Sequence, residues 1–146
     1  RRGADEGFPC LDIGFTFPDL HFKIDEDAAL RLCEAAGDET PWFRGPTRWG
    51  GPVVPPIAVF NPATESQRVM ALDHPVDQAG LNAEFMLLAT RPMLRDQSYV
   101  LRMTIVDKGV GARTWFCTTQ FEVLDTEGNR FLTARQKCKW FSKVNC

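Results

Sequence analysis

Residues 99–140 read YVLRMTIVDKGVGARTWFCTTQFEVLDTEGNRFLTARQKCKW, and the period of this stretch decides the fold. Between residues 99 and 106, Tyr99, Leu101, Met103 and Ile105 alternate with Arg102 and Thr104. Successive side chains of a strand point to opposite faces, so this spacing predicts a strand buried on one side. Residues 115–123 repeat the alternation. The turn Asp125-Thr126-Glu127-Gly128-Asn129 then leads into a strand at 131–140, which makes an antiparallel hairpin. A further strand is expected at 82–90, so three or four strands form a meander.

Upstream the period changes. Asp25 is an N-cap residue, Ala28, Ala29, Leu32, Cys33 and Ala36 share one helical face, and Gly37 closes the segment, predicting a helix over Glu26–Ala36. Residues 37–56, GDETPWFRGPTRWGGPVVPP, hold too much Pro and Gly for regular structure and too many aromatics for an idle loop. Pro56 suits the first turn of a helix, where its missing N–H costs nothing, and 57–72 read as that helix. Asn61-Pro62 followed by Glu65 is a second start signal, so the helix kinks or restarts there. Residues 1–20, rich in Gly, Pro and Phe, read as an arm with a possible edge strand around Phe15 and Phe17. Residues 21–146 read as one domain. A long helix followed by antiparallel strands is an α+β arrangement in which the sheet covers the helix.

Composition narrows the function. At 146 residues the chain is sized for one core, and 44% hydrophobic residues are enough to pack it. A net charge of -2 gives nucleic acid no positive field to bind. No apolar run reaches the ~20 residues needed to cross a bilayer, so a soluble, cytoplasmic protein is expected. The start at Arg1 instead of Met points to a trimmed, processed or excised N-terminus. Five scattered cysteines without a CxxC pair imply neither a zinc site nor a disulfide framework, and Cys33 and Cys117 read as core fillers. No metal and no cofactor is expected.

The segments at 24–43 (IDEDAALRLCEAAGDETPWF), 51–60 (GPVVPPIAVF), 85–109 and 121–137 together resemble MaoC-like hydratases and dehydratases. The likeness runs from about Phe22 to Trp140, and its paired prolines are closest to the N-terminal halves of two-domain members. It implies a hot-dog fold, an antiparallel sheet wrapped around a central helix. It also implies a small-molecule substrate linked to coenzyme A or a carrier protein, bound at the interface of a homodimer or of a heterodimer with another hot-dog chain. Such chemistry needs a carboxylate and an imidazole facing one water, because a proton must leave and arrive together.

Asp38 matches the family's Asp and Pro41 its Pro, but Phe43 stands where the His belongs, and phenylalanine accepts no proton. Asp38 is therefore either a surviving acid/base or an anchor for the loop, the latter favoured. His74 is the candidate replacement for the imidazole, although a solvated loop histidine is the commoner case. His21 reads as structural. Trp42, Phe43 and Trp49 suit an apolar acyl wall. Pro55-Pro56 replaces a His-Gly pair, so the N–H of Ile57 is the first donor available to a thioester carbonyl. Asn82 and Glu84, two apart, are expected on one side of their strand, facing the site or a wet dimer surface. Arg44 and Arg48 can reach a phosphate, or simply be exposed. The run RQKCKWFSK reads as the alternating outer face of a strand and not as a binding patch. Two rival functions are a noncatalytic hot-dog subunit that shapes the tunnel for a catalytic partner, and a thioesterase using Glu65 on the central helix.

Overall fold

The computed structural model describes residues 11–64, 81–110 and 114–140. Five strands form one antiparallel sheet: β1 (Leu20–Phe22), β2 (Leu81–Ala89), β3 (Tyr99–Val110), β4 (Trp115–Leu124) and β5 (Arg130–Trp140), in the order β1-β3-β4-β5-β2. Helix α1 spans Glu26–Ala36, and two 3₁₀ turns follow at Pro41–Phe43 and Pro56–Val59. The meander expected from alternation is present as β3, β4 and β5. Its inward set, including Leu101, Met103, Ile105, Phe121, Val123 and Leu132, is almost wholly removed from water. Burial at about 25 cal/mol per Å² of apolar surface is what makes this face a core.

Asp25 Oδ1 accepts the N–H of Ala28, and Gly37 takes the left-handed conformation that ends α1. Both ends of this helix therefore follow the sequence signals. The second helix opens in two steps: a 3₁₀ turn begun by Pro56, then α-helix over residues 60–64. Pro62 lies in the first turn of that α-segment, where its missing N–H breaks no bond. The remainder of the expected central helix, with Glu65, lies outside the described residues, as does His74.

Around Phe15 and Phe17 the arm pairs with β3 through a bridge of Thr16 to Thr104 and backbone hydrogen bonds from Phe17 N to Met103 O and from Ile105 N to Phe15 O, and a short ladder with β3 forms at Leu20–Phe22. Pro18 between them has no N–H to give a ladder. Strand β3 continues to Val110, past the expected end at 106, because a register shift between Ile105 and Asp107 lets pairing resume at Asp107 and run on through Lys108 and Gly109. The arm packs on the core: Leu11 and Phe17 are buried, and Lys108 Nζ donates to the Leu11 carbonyl at 2.7 Å.

The loop after β2 ties the layers together. Met93 O accepts the N–H of Val54 at 2.8 Å, Pro52 O accepts that of Arg95, and Ile24 O accepts that of Asp96. Tyr99 Oη accepts the N–H of Leu94 and donates to Gln97 Oε1, so the buried phenol has its polar end satisfied. The Arg95 side chain, 8% exposed, places Nη1 2.7 Å from the Glu26 carboxylate at the start of α1.

Candidate functional site

Two cavities flank the turn at Pro56–Val59. The first, about 270 Å³, is walled by Trp42, Phe43, Trp49, Val53 and Pro56 on one side and by residues 89–92 at the end of β2 on the other. Four of the residues expected to bind substrate thus meet in one place. The loop that brings them is short of regular structure yet specifically pinned. The Asp38 carboxylate accepts the N–H of Thr40 at 2.9 Å, Thr47 Oγ1 accepts that of Trp49, and Trp42 O accepts that of Val53. Trp42 and Trp49 pack edge to face at 5.8 Å, and the Arg48 guanidinium lies 4.7 Å from the Trp49 ring.

Asp38 spends one of its oxygens on this loop. Hydrogen bonds from Thr40, side chain first and backbone second, hold its carboxyl below the usual value, with help from Arg44. Arg44 also donates to the Asp38 carbonyl at 3.5 Å. Phe43, half-buried, sits in the aromatic wall and offers no atom for proton transfer.

The second cavity, about 290 Å³, lies on the other side of the same turn, between α1, the helix start and the strands β2 and β5. Ile57, Asn82 and Gln136 line it together with Leu32, Phe60, Asn61 and Phe85. Pro56 and Ile57, adjacent in sequence, therefore serve different cavities. Asn82 Oδ1 accepts hydrogen bonds from Gln136 Nε2 and, at 3.2 Å, from Cys138 Sγ.

Asn82 and Glu84 do not share a side. The register of β2 against β5 shifts between them, Asn82 pairing with Cys138 and Glu84 with Lys137. The bulge at Ala83 breaks the period of two, which sends Asn82 inward and Glu84 to the outer face. There Glu84 lines an open cavity of about 580 Å³ with Asp107, Arg135 and Lys137, its carboxylate 3.8 Å from Lys137 Nζ.

Gln136 is the residue that sequence reasoning passed over. It stands in the basic run read as an outer face, yet it is 4% exposed. The signal was available: period two puts it in line with Leu132 and Ala134, both buried. Among the described residues the thiols are Cys33, Cys117 and Cys138. Burial pushes Cys117 up to about 12 and Cys138 up to about 11, and also raises Cys33. None is a ready thiolate nucleophile at neutral pH. No helix among the described residues is long and apolar enough to cross a membrane.

No family model and no curated protein matches this sequence. Solved structures do. The monoamine oxidase regulatory protein of Archaeoglobus fulgidus is 18% identical with a TM-score of 0.76, over 94% of this chain and 95% of that one. The R-hydratase PhaJ1 of Pseudomonas aeruginosa is 12% identical with a TM-score of 0.69, over 97% and 92%. The 3R-hydroxyacyl-ACP dehydratase complex HadBC of Mycobacterium tuberculosis gives 13% and 0.72, over 87% and 96%. At these identities the likeness is one of fold, and this chain has the hot-dog fold.

Proposed function

We propose that this chain is a MaoC-like hydratase/dehydratase-type hot-dog subunit, cytoplasmic, that holds an acyl thioester of coenzyme A or a carrier protein, or a similar small molecule, at a dimer interface. The observation that carries the reading is the convergence of Trp42, Phe43, Trp49 and Pro56 on one apolar cavity. An acyl chain entering such walls is favoured by about 0.8 kcal/mol for each methylene taken from water.

The edge of the sheet supports a second chain. Strand β2 pairs with β5 on one side and with no strand among the described residues on the other, and it exposes Leu81, Met86 and Leu88. An apolar edge of this length invites pairing unless another chain covers it.

The chemistry of the ordinary dyad is displaced. Phe43 replaces the imidazole, and one oxygen of Asp38 is already taken by the N–H of Thr40. This favours a subunit that shapes the tunnel while a partner hot-dog chain supplies the proton-transfer pair. Catalysis by this chain itself would fall to Asp38 with His74.

Titration with hexanoyl-CoA, followed by tryptophan fluorescence, tests the reading. Saturable quenching is expected, and Phe43→Asp should weaken binding by roughly tenfold or more, since an unpaired charge then faces the acyl chain. A wild-type protein whose fluorescence shows no saturable response to hexanoyl-CoA removes the proposal.

A further inference from the structure

One inward row of the sheet carries two thiols. Cys117 of β4 stands directly opposite Cys138 of β5, and Cys138 in turn stands opposite Asn82 of β2. Opposed residues of an antiparallel pair project from the same face, and here it is the core face. Cys117 is 1% exposed, and Cys138 packs half-buried against the same core. Both thiols are free. Cys138 Sγ donates to Asn82 Oδ1 at 3.2 Å, an oxygen that also accepts from Gln136 Nε2.

Directly opposed residues of antiparallel strands hold their Cα atoms about 4.5–5.5 Å apart, inside the range of about 4.4–6.8 Å that a disulfide spans. The register of β4 against β5 therefore puts the two sulfurs within bonding reach. The same ladder sets the Cβ atoms about 4.5–5.5 Å apart, wider than the ~3.8 Å of a relaxed disulfide. A bond closed here is strained, and strain makes it easy to reduce. Access is one-sided, through half-buried Cys138. Burial keeps both thiols protonated at neutral pH, Cys117 more firmly than Cys138, so oxidation is slow and begins at Cys138.

We propose that Cys117 and Cys138 are a redox-sensitive pair, which a peroxide closes into a disulfide across β4 and β5, taking the Cys138 donor away from Asn82. The Cys138 sulfur attacks one peroxide oxygen, so an S–O bond forms, the O–O bond breaks, and the departing hydroxide leaves as water with the thiol proton. The Cys117 sulfur then attacks the Cys138 sulfur. The S–S bond forms, the S–O bond breaks, and the second hydroxide leaves as water with the Cys117 proton. Two thiols are oxidised and one peroxide is reduced to two waters. Asn82 lies at the start of β2, so the change is felt where that strand joins β5. Nothing in this chemistry requires an acyl ligand.

The test treats the full chain with hydrogen peroxide, blocks the remaining thiols with iodoacetamide, and maps the unreduced digest by mass spectrometry. A peptide linking Cys117 to Cys138 is expected, lighter by two hydrogens than the reduced pair and separated again by dithiothreitol. Its share should exceed by roughly fivefold that from the urea-unfolded chain, where any two of the five cysteines can meet. In ¹⁵N spectra the side-chain amide signals of Asn82 should move on oxidation and return on reduction. Cys10→Ser combined with Cys146→Ser should keep the link. Cys117→Ala should abolish it and leave Cys138 as a sulfenic acid that dimedone captures. Absence of the linked peptide, an equal share after unfolding, or loss of the link when Cys10 and Cys146 are replaced overturns the proposal. A link that leaves the Asn82 signals unmoved overturns its effect on β2.

Discussion

In the meander of β3, β4 and β5 nearly every second side chain is buried, whereas in residues 37–56 only Val53, Val54 and Pro55 are. The meander is held by burial along its two ladders, β3 with β4 and β4 with β5. The loop is held at points: the Asp38 carboxylate on Thr40, Thr47 on Trp49, Trp42 on Val53, and Met93 on Val54. The first kind of order makes a frame with little freedom. The second leaves Trp42 and Phe43 exposed or half-exposed beside a cavity, where a ligand can complete their burial. Placing the aromatic wall on pinned loop and the frame beneath it is the usual division of labour between binding groups and scaffold.

The contrast breaks most visibly at aromatic residues. Phe121 is fully buried, its ring edge-on to Phe60 at 6.0 Å, and Phe121→Ala should lower stability by about 3–5 kcal/mol. Trp42, 58% exposed, should lose less than about 0.5 kcal/mol on truncation to alanine. Chemical denaturation of the two variants measures both. Similar losses would mean that the loop is part of the core and the distinction fails.

Glycines sharpen the same comparison at smaller scale. A Cβ added at Gly109 in β3 would stand 2.1 Å from Cε1 of Phe116, its cross-strand partner in β4. Gly109→Ala must push that ring aside, and overpacking of this kind costs about 1–3 kcal/mol. At Gly45 in the loop the nearest atom is the Pro41 carbonyl oxygen at 3.8 Å, an ordinary contact. Gly45→Ala should leave the melting temperature near that of the wild type. A larger loss at Gly45 than at Gly109 would reverse the assignment of rigid and tolerant regions.

The same division explains what the sequence made legible. Period two over residues 99–106 and 115–123, and the Asp25 and Gly37 caps, specify structure through neighbours a few residues away, and the strands and α1 follow. Features set by distant partners were not readable. The bulge at Ala83 depends on how β2 meets Lys137 and Cys138 of β5, far along the chain, and it separated Asn82 from Glu84. Gln136, by contrast, was readable from its period-two line with Leu132 and Ala134, although Arg135 and Lys137 on either side give its segment a basic appearance. The aromatic loop announced a site through Trp42, Phe43 and Trp49. That Pro56 and Ile57 face two separate cavities follows only from where the turn sits.

The smallest expected effect compares one carboxylate from each region. Asp38 in the loop is held below its ordinary value of 3.8 by hydrogen bonds from Thr40, and Asp125 in the β4–β5 turn by those from Asn129 and Glu127, the Asn129 side chain foremost. A carboxyl with a depressed value binds its proton less readily folded than unfolded. Its stabilisation is therefore fully present above about 3.8 and is lost as pH falls through the lower folded-state value. Thermal melts of wild type, Asp38→Ala and Asp125→Ala should differ at pH 6 and converge as pH drops below that point. Both groups are solvated, so the differences should be smaller than that from Gly109→Ala. Because Asp125 closes a ladder while Asp38 closes only a turn, Asp125→Ala should also weaken hydrogen-exchange protection along β4 and β5, and Asp38→Ala should leave that protection unchanged. Loss of sheet protection in Asp38→Ala would show that the loop and the meander unfold as one unit, and that the point-pinned loop is in fact part of the frame.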